Sequence, residues 1–199
     1  MKRTDIISKN MPRQGGAISH AVGGAVLKLL GWKIVGQLPD TKKLMIIVAP
    51  HTSNWDFIIA MGAKFYLGLQ VRYLMKSEAY VWPMSIIYKM SGAVPVFRFE
   101  KTDILEQTID WLKAEENVWL GMSPEGTRSK IDKWKTGFLR IAHGADIPIL
   151  VVGLNAPDKT IVIDRLVALA ALKGDLTAQA KYLQDICAKK FVGIKPQNQ

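Results

Sequence analysis

At 199 residues and 49% apolar composition, the chain is long enough to bury a core without covalent staples and too apolar to be a disordered tail. Lys and Arg number 27 against 17 Asp and Glu, and the resulting net charge of +10 points to anionic partners: nucleic acid, acidic headgroups, phosphorylated small molecules or an acidic carrier protein. One cysteine, Cys187, excludes an intrachain disulfide framework and suits a reducing compartment.

The first periodic segment is Ala17 to Leu30, which reads as a short helix. Ile18, Val22, Ala25 and Leu29 share one face at 100° per residue, with His20, Gly24 and Lys28 on the other. Gly23 and Gly24 weaken it, so it needs a surface to pack on. Ser19, His20 and Lys28 interrupt it, and it is too short to cross a bilayer. Asp5 and a polar run to Gln14 separate it from Lys2 and Arg3, unlike a secretory signal. The expected location is the cytoplasm or the cytoplasmic face of a membrane.

Leu44 to Ala49 is a continuous apolar run, as expected of a strand covered on both faces. Val71 to Met75, Ala93 to Phe97, Asn117 to Met122 and Ile147 to Leu154 are further expected strands. Thr102 can cap a helix with Asp103 in its first turn and Leu105, Ile109 and Leu112 as its buried stripe. A last helix is expected from about Leu176 to Lys190, with Leu176, Ala180, Leu183 and Cys187 at helical spacing. Strands alternating with helices predict a single α/β domain with a largely parallel central sheet flanked by helices. Ligands of such sheets sit beyond the carboxyl ends of the strands, so the residues after each strand carry the functional reading.

His51 follows the first long strand, and Asp56 comes five positions later. With a helix starting near Thr52 or Ser53, the carboxylate can turn back, accept the Nδ1 proton and leave the other ring nitrogen as a base. The plainer reading, a capping histidine and an ordinary early-helix acid, stands beside it. After Asn117 to Met122 comes Ser123-Pro124-Glu125-Gly126-Thr127-Arg128. Gly126 lets backbone approach a ligand, Thr127 offers a hydroxyl, and Arg128 offers a fork for phosphate. A solvated turn is the alternative. Arg98 follows a third strand and would add a cation to the same rim, with a plain surface arginine as the alternative. The histidines and the cysteine are too far apart in sequence for metal-ligand spacing, and neither a phosphate-binding Walker loop nor a dinucleotide fingerprint occurs. Gly121-Met122-Ser123-Pro124-Glu125 has Glu where a nucleophile elbow needs its second Gly, so Ser123 is not expected to be acylated. The six tryptophans are scattered, and no basic helix for a nucleic-acid groove stands out.

In this order, these residues resemble the glycerolipid acyltransferases, which include 1-acyl-glycerol-3-phosphate and lysophospholipid acyltransferases. His51 and Asp56 match the first motif of that family. Gly92 to Arg98 match the second, Pro124 to Ser129 match the Pro-Glu-Gly-Thr-Arg-Ser third intact, and Ile147-Pro148-Ile149 match the fourth; Lys135 to Phe138 also look like the family. The resemblance runs from about Trp32 to Leu154. Pro50, Phe97 and Ser123 depart from common family choices at positions bordering the acceptor site.

The resemblance implies transfer of an acyl group from acyl-coenzyme A or acyl carrier protein to a lyso-glycerophospholipid hydroxyl, with no acyl-enzyme, metal or further cofactor. In that scheme His51 is the general base and Asp56 orients it. Arg98, Gly126, Thr127 and Arg128 hold the acceptor phosphate, and Glu125 bonds a hydroxyl or an arginine in the pocket. An acyltransferase domain is then expected at 32–199. Residues 1–31 would form a basic segment with a candidate amphipathic interfacial helix, peripheral on the cytoplasmic side of the cell membrane. The rival expectations are a non-catalytic module binding anionic lipid or nucleic acid on the same scaffold, and a thioester hydrolase.

Overall fold

A computed structural model describes residues 3–96 and 104–199. The segment carrying Arg98, and the expected Thr102 cap with Asp103, lie outside the described residues.

The sheet is built on the apolar run that the sequence marks. Strand β2 (Lys43–Ala49) lies at its centre, and its alternate side chains go to opposite faces. Met45, Ile47 and Ala49 enter one core, while Leu44, Ile46 and Val48 enter the other. β5 (Val118–Met122) and β6 (Ile149–Asn155) flank it in parallel register. β3 (Val71–Lys76) and β4 (Ala93–Val96) extend the parallel part to one edge. The fold is therefore the expected α/β type, with a mostly parallel sheet of seven strands in the order β1-β7-β6-β2-β5-β3-β4.

Two strands escape the sequence reading. β1 (Lys33–Val35) has only three residues, too few for a period to show. β7 (Thr160–Val167) carries Asp164 and Arg165 in its middle, and a bulge breaks its register with β6 there. β7 runs antiparallel to β6, and β1 is parallel to β7, so this edge of the sheet is reversed relative to β2–β6.

Among the described residues, six α-helices cover the two faces. α4 (Ile104–Ala114), α5 (Gly137–Ala145) and α6 (Leu176–Lys190) pack on one face, with Leu112, Phe138, Leu139 and Leu183 buried there. α1 (Ala17–Leu30), α2 (Asn54–Leu67) and α3 (Met84–Ser91) form the opposite layer. Right-handed crossovers from β2 to β3 and from β3 to β4 put α2 and α3 on one side. The Lys64 ammonium, buried on α2, donates to the Ser91 carbonyl at the end of α3.

α1 has the expected bounds but does not bury its apolar stripe. Gly23 and Leu27 turn inward onto α2. A Cβ at Gly23 would collide with the Tyr66 amide and the Gly62 carbonyl, so its missing side chain permits a close helix crossing. Ile18 and Leu29 are left 82% and 86% exposed.

Candidate functional site

The sharp exit of β2 and the start of α2 place the first pair. Ser53 is the N-cap of α2, and its hydroxyl accepts from the Trp55 amide. Asp56, three residues on, completes a capping box. Its Oδ2 accepts from the Thr52 and Ser53 amides at 2.6 and 2.7 Å, and the same oxygen lies 3.2 Å from His51 Nδ1. Ser53, not His51, is therefore the capping residue, and the early-helix acid of the plainer reading is the carboxylate beside the imidazole. The cap fixes the carboxylate, and the fixed carboxylate faces the imidazole. Asp56 is buried, while the His51 ring stays partly open to solvent.

Glu125 joins this pair from the exit of β5. Its Oε2 accepts the His51 backbone N–H at 2.7 Å. That partner is a main-chain amide, not the hydroxyl or arginine that the family resemblance implies. Burial pushes the Glu125 carboxyl above its ordinary pKa, against the opposing pull of that amide and of His51. Gly126 follows at φ 64, a left-handed conformation that suits glycine in a tight loop. A Cβ there would press on the Lys135 side chain, so Lys135 lies over the loop. Thr127 Oγ1 accepts from the Ser129 amide at 3.3 Å, and Arg128 is exposed on the same loop. The structure thus brings His51, Asp56 and Glu125 together at one rim and sets Gly126–Arg128 beside them.

Three further contributions are not legible in the sequence. The C-terminal segment closes over the 51–53 turn: Lys195 N–H donates to Thr52 Oγ1, and Asn198 Nδ2 donates to the Thr52 carbonyl. Ser123, set aside as a nucleophile, has a buried hydroxyl with no hydrogen-bond partner. The third is a cavity of about 320 Å³ beneath α2, on whose wall Ser123 lies. His51 and Asp56, at the start of α2, lie on its wall, and so do Leu67 and Leu69 from the other end of that helix. From Asp56 to Leu67 α2 advances about 16 Å. That is the depth of one leaflet of a hydrocarbon core of about 30 Å, the span of a single acyl chain. Besides His51, Asp56 and Ser123, the wall is apolar save for Tyr73 and Lys64, whose ammonium burial pulls down to about 8. Cys187, buried and pushed up to about 12, is not a nucleophile at neutral pH. Among the described residues no cluster of His, Cys, Asp and Glu could hold a metal ion.

Residues 33–155 match the acyltransferase family. The chain belongs to that family. No curated protein matches it in sequence. Among solved structures it is similar to the 1-acyl-sn-glycerophosphate (LPA) acyltransferase PlsC from Thermotoga maritima, with a TM-score of 0.62 and 17% identity over 86% of this chain and 76% of that one. The sheet that carries His51 and Glu125 is therefore a fold shared with an acyltransferase, and the family match spans both residues.

Proposed function

We infer that this acyltransferase moves a fatty acyl group from a thioester to the free hydroxyl of a lyso-glycerophospholipid such as 1-acyl-glycerol-3-phosphate. The observation that carries the reading is an apolar cavity with the His51–Asp56 pair on its wall, because it joins a site for a chain to a site for a proton. The acyl chain lies beneath α2, with the thioester carbon at His51. Asp56 accepts a hydrogen bond from Nδ1–H, which keeps the proton on that nitrogen and leaves Nε2 free. Nε2 takes the proton of the acceptor hydroxyl as its oxygen attacks the thioester carbon. The tetrahedral adduct then expels the thiolate by breaking the carbon–sulfur bond, and the imidazolium returns the proton to sulfur. Asp56 stabilises the imidazolium in between. No protein atom is acylated. The unpartnered Ser123 hydroxyl is available to donate to the adduct oxygen. Arg128 and the amides around Gly126 hold the acceptor phosphate, and Arg98 is proposed to join them from the neighbouring strand exit. The donor thioester is acyl-coenzyme A or acyl carrier protein, either of which the positive net charge favours.

Substrates with apolar chains place the protein at a bilayer surface, and the α1–α3 layer suits that position. Trp55 and Ile58 on α2, and Val81, Trp82, Ile86 and Met90 on or before α3, are exposed, as are Ile18 and Leu29. The helices of the opposite layer expose one large apolar side chain among the described residues, Tyr182. The proposed contact is interfacial, through these exposed side chains, and on the cytoplasmic side. No described helix is long and apolar enough to cross a membrane.

The test is a thiol-release assay with acyl-coenzyme A and acyl carrier protein donors across a panel of lyso-acceptors, with products identified by mass spectrometry. Release that depends on an acceptor, with a matching diacyl product, is expected. Release at the same rate without acceptor would make the protein a hydrolase. No release from any donor would leave a lipid-binding or nucleic-acid-binding module.

A further inference from the structure

α1 ends at Gly31, and three lysines surround that end. Lys28 lies in the last turn, Lys33 opens β1, and Lys159 sits in the turn between β6 and β7. Lys159 adopts φ 48, a conformation that side chains other than glycine seldom take. Its Nζ turns back to donate to the Leu30 carbonyl at 3.2 Å. All three lysines are exposed, and no carboxylate pairs with any of them among the described residues. Asp158, next in the chain, instead accepts from Asn155 Nδ2 at 2.6 Å.

Beside this cluster opens a second cavity, of about 520 Å³. Ile6, Leu27, Trp32 and Tyr66 line it, and Lys28 and Lys33 stand on its wall. A free anion would not need the apolar walls, and an uncharged chain would leave three like charges unanswered. A ligand with both a negative head and an apolar tail satisfies both halves.

The topology sets this place apart from the transfer site. Lys33 is opposite Thr160, and Thr160 is opposite Asn155 at the carboxyl end of β6. The cluster therefore lies on the same rim as His51; Lys159 is in the turn between β6 and β7, and Lys33 on β1 is three strands away from β2. At about 4.8 Å per strand that is about 14 Å, on the far side of β2 from the Arg128 loop. A headgroup bound there cannot present its hydroxyl to His51.

We propose that Lys28, Lys33 and Lys159, with the cavity beside them, bind an anionic phospholipid of the bilayer as a non-substrate lipid that seats the catalytic rim on the membrane. The proposal does not depend on acyl transfer at His51. The test uses the full chain and dihexanoyl-phosphatidylglycerol below its micelle-forming concentration, with binding read by calorimetry. Saturable binding of one lipid is expected, and dihexanoyl-phosphatidylcholine and glycerol phosphate should bind at least about tenfold more weakly. The variant Lys28→Gln/Lys33→Gln/Lys159→Gln should lose at least about tenfold in affinity. Lys28→Gln alone, on an exposed helix face, should shift it in the same direction without risk to the fold. Lys113→Gln/Lys173→Gln/Lys189→Gln removes the same charge away from the cluster and should change affinity less than about twofold. Equal weakening by both triple variants would reduce the cluster to nonspecific charge and overturn the proposal. Equal binding of the two lipids, or of glycerol phosphate, would overturn it too. Loss of phosphatidylglycerol binding in Arg128→Ala would move the lipid to the transfer site, with the same consequence.

Discussion

His51→Ala is expected to lower the acyl-transfer rate by on the order of 10²–10⁴-fold while leaving the protein folded. The loss follows from removing the base that takes the hydroxyl proton. The fold should survive because the structural bond at this residue belongs to the main chain: the His51 amide, not the ring, donates to Glu125. Asp56 also keeps its two backbone donors, Thr52 and Ser53, when the imidazole is gone. Rates from thiol release with product analysis, beside a thermal melt, check both halves. Near-parental transfer by a folded His51→Ala protein would remove the general base from the mechanism.

Asp56→Asn is expected to cost nearly as much, on the order of 10²-fold or more in kcat, for an electrostatic reason. The asparagine oxygen can take the place of Oδ2, and its NH₂ the place of Oδ1, which has no hydrogen-bond partner. In that orientation the two amide bonds that start α2 survive, and so does the acceptor for Nδ1–H. The negative charge that stabilises the imidazolium does not. Asp56→Ala removes both functions and should add a stability loss of about 1–2 kcal/mol from the missing cap. The comparison separates the two roles of one carboxylate. If Asn restores the melting temperature but not kcat, the charge acts on the chemistry. If Asn restores both, Asp56 is a cap and nothing more.

Much of the site was legible because its residues are local to strand ends. Leu44 to Ala49 marked a strand covered on both faces, and His51 followed at its exit. A helix starting near Thr52 or Ser53 put Asp56 in its first turns, able to turn back to His51, and the two faces of β2 do enter separate cores. α1 and α6 have the expected bounds, because glycine ends the first and Asp175 caps the second. The partner of Glu125 could not be read, since a carboxylate reaching a main-chain amide 74 residues away leaves no sequence signal. The exposure of Ile18 and Leu29 was equally hidden. Periodicity shows that a stripe exists, but the close approach at Gly23 decides which face turns inward. The cavity beneath α2 depends on the gap between helix and sheet, which no spacing along the chain records.

The central claim is that the acyl chain lies beneath α2 with its thioester carbon at His51. The most direct measurement is photolabelling with an acyl thioester that carries a diazirine at the end of a chain long enough to fill the cavity, followed by peptide mapping. Label on the cavity wall away from His51, at Leu67, Leu69 or their neighbours, is the predicted result. Label confined to Trp82 and Met90 on the exposed layer, or to Trp32 and Tyr66 in the second cavity, would contradict the account.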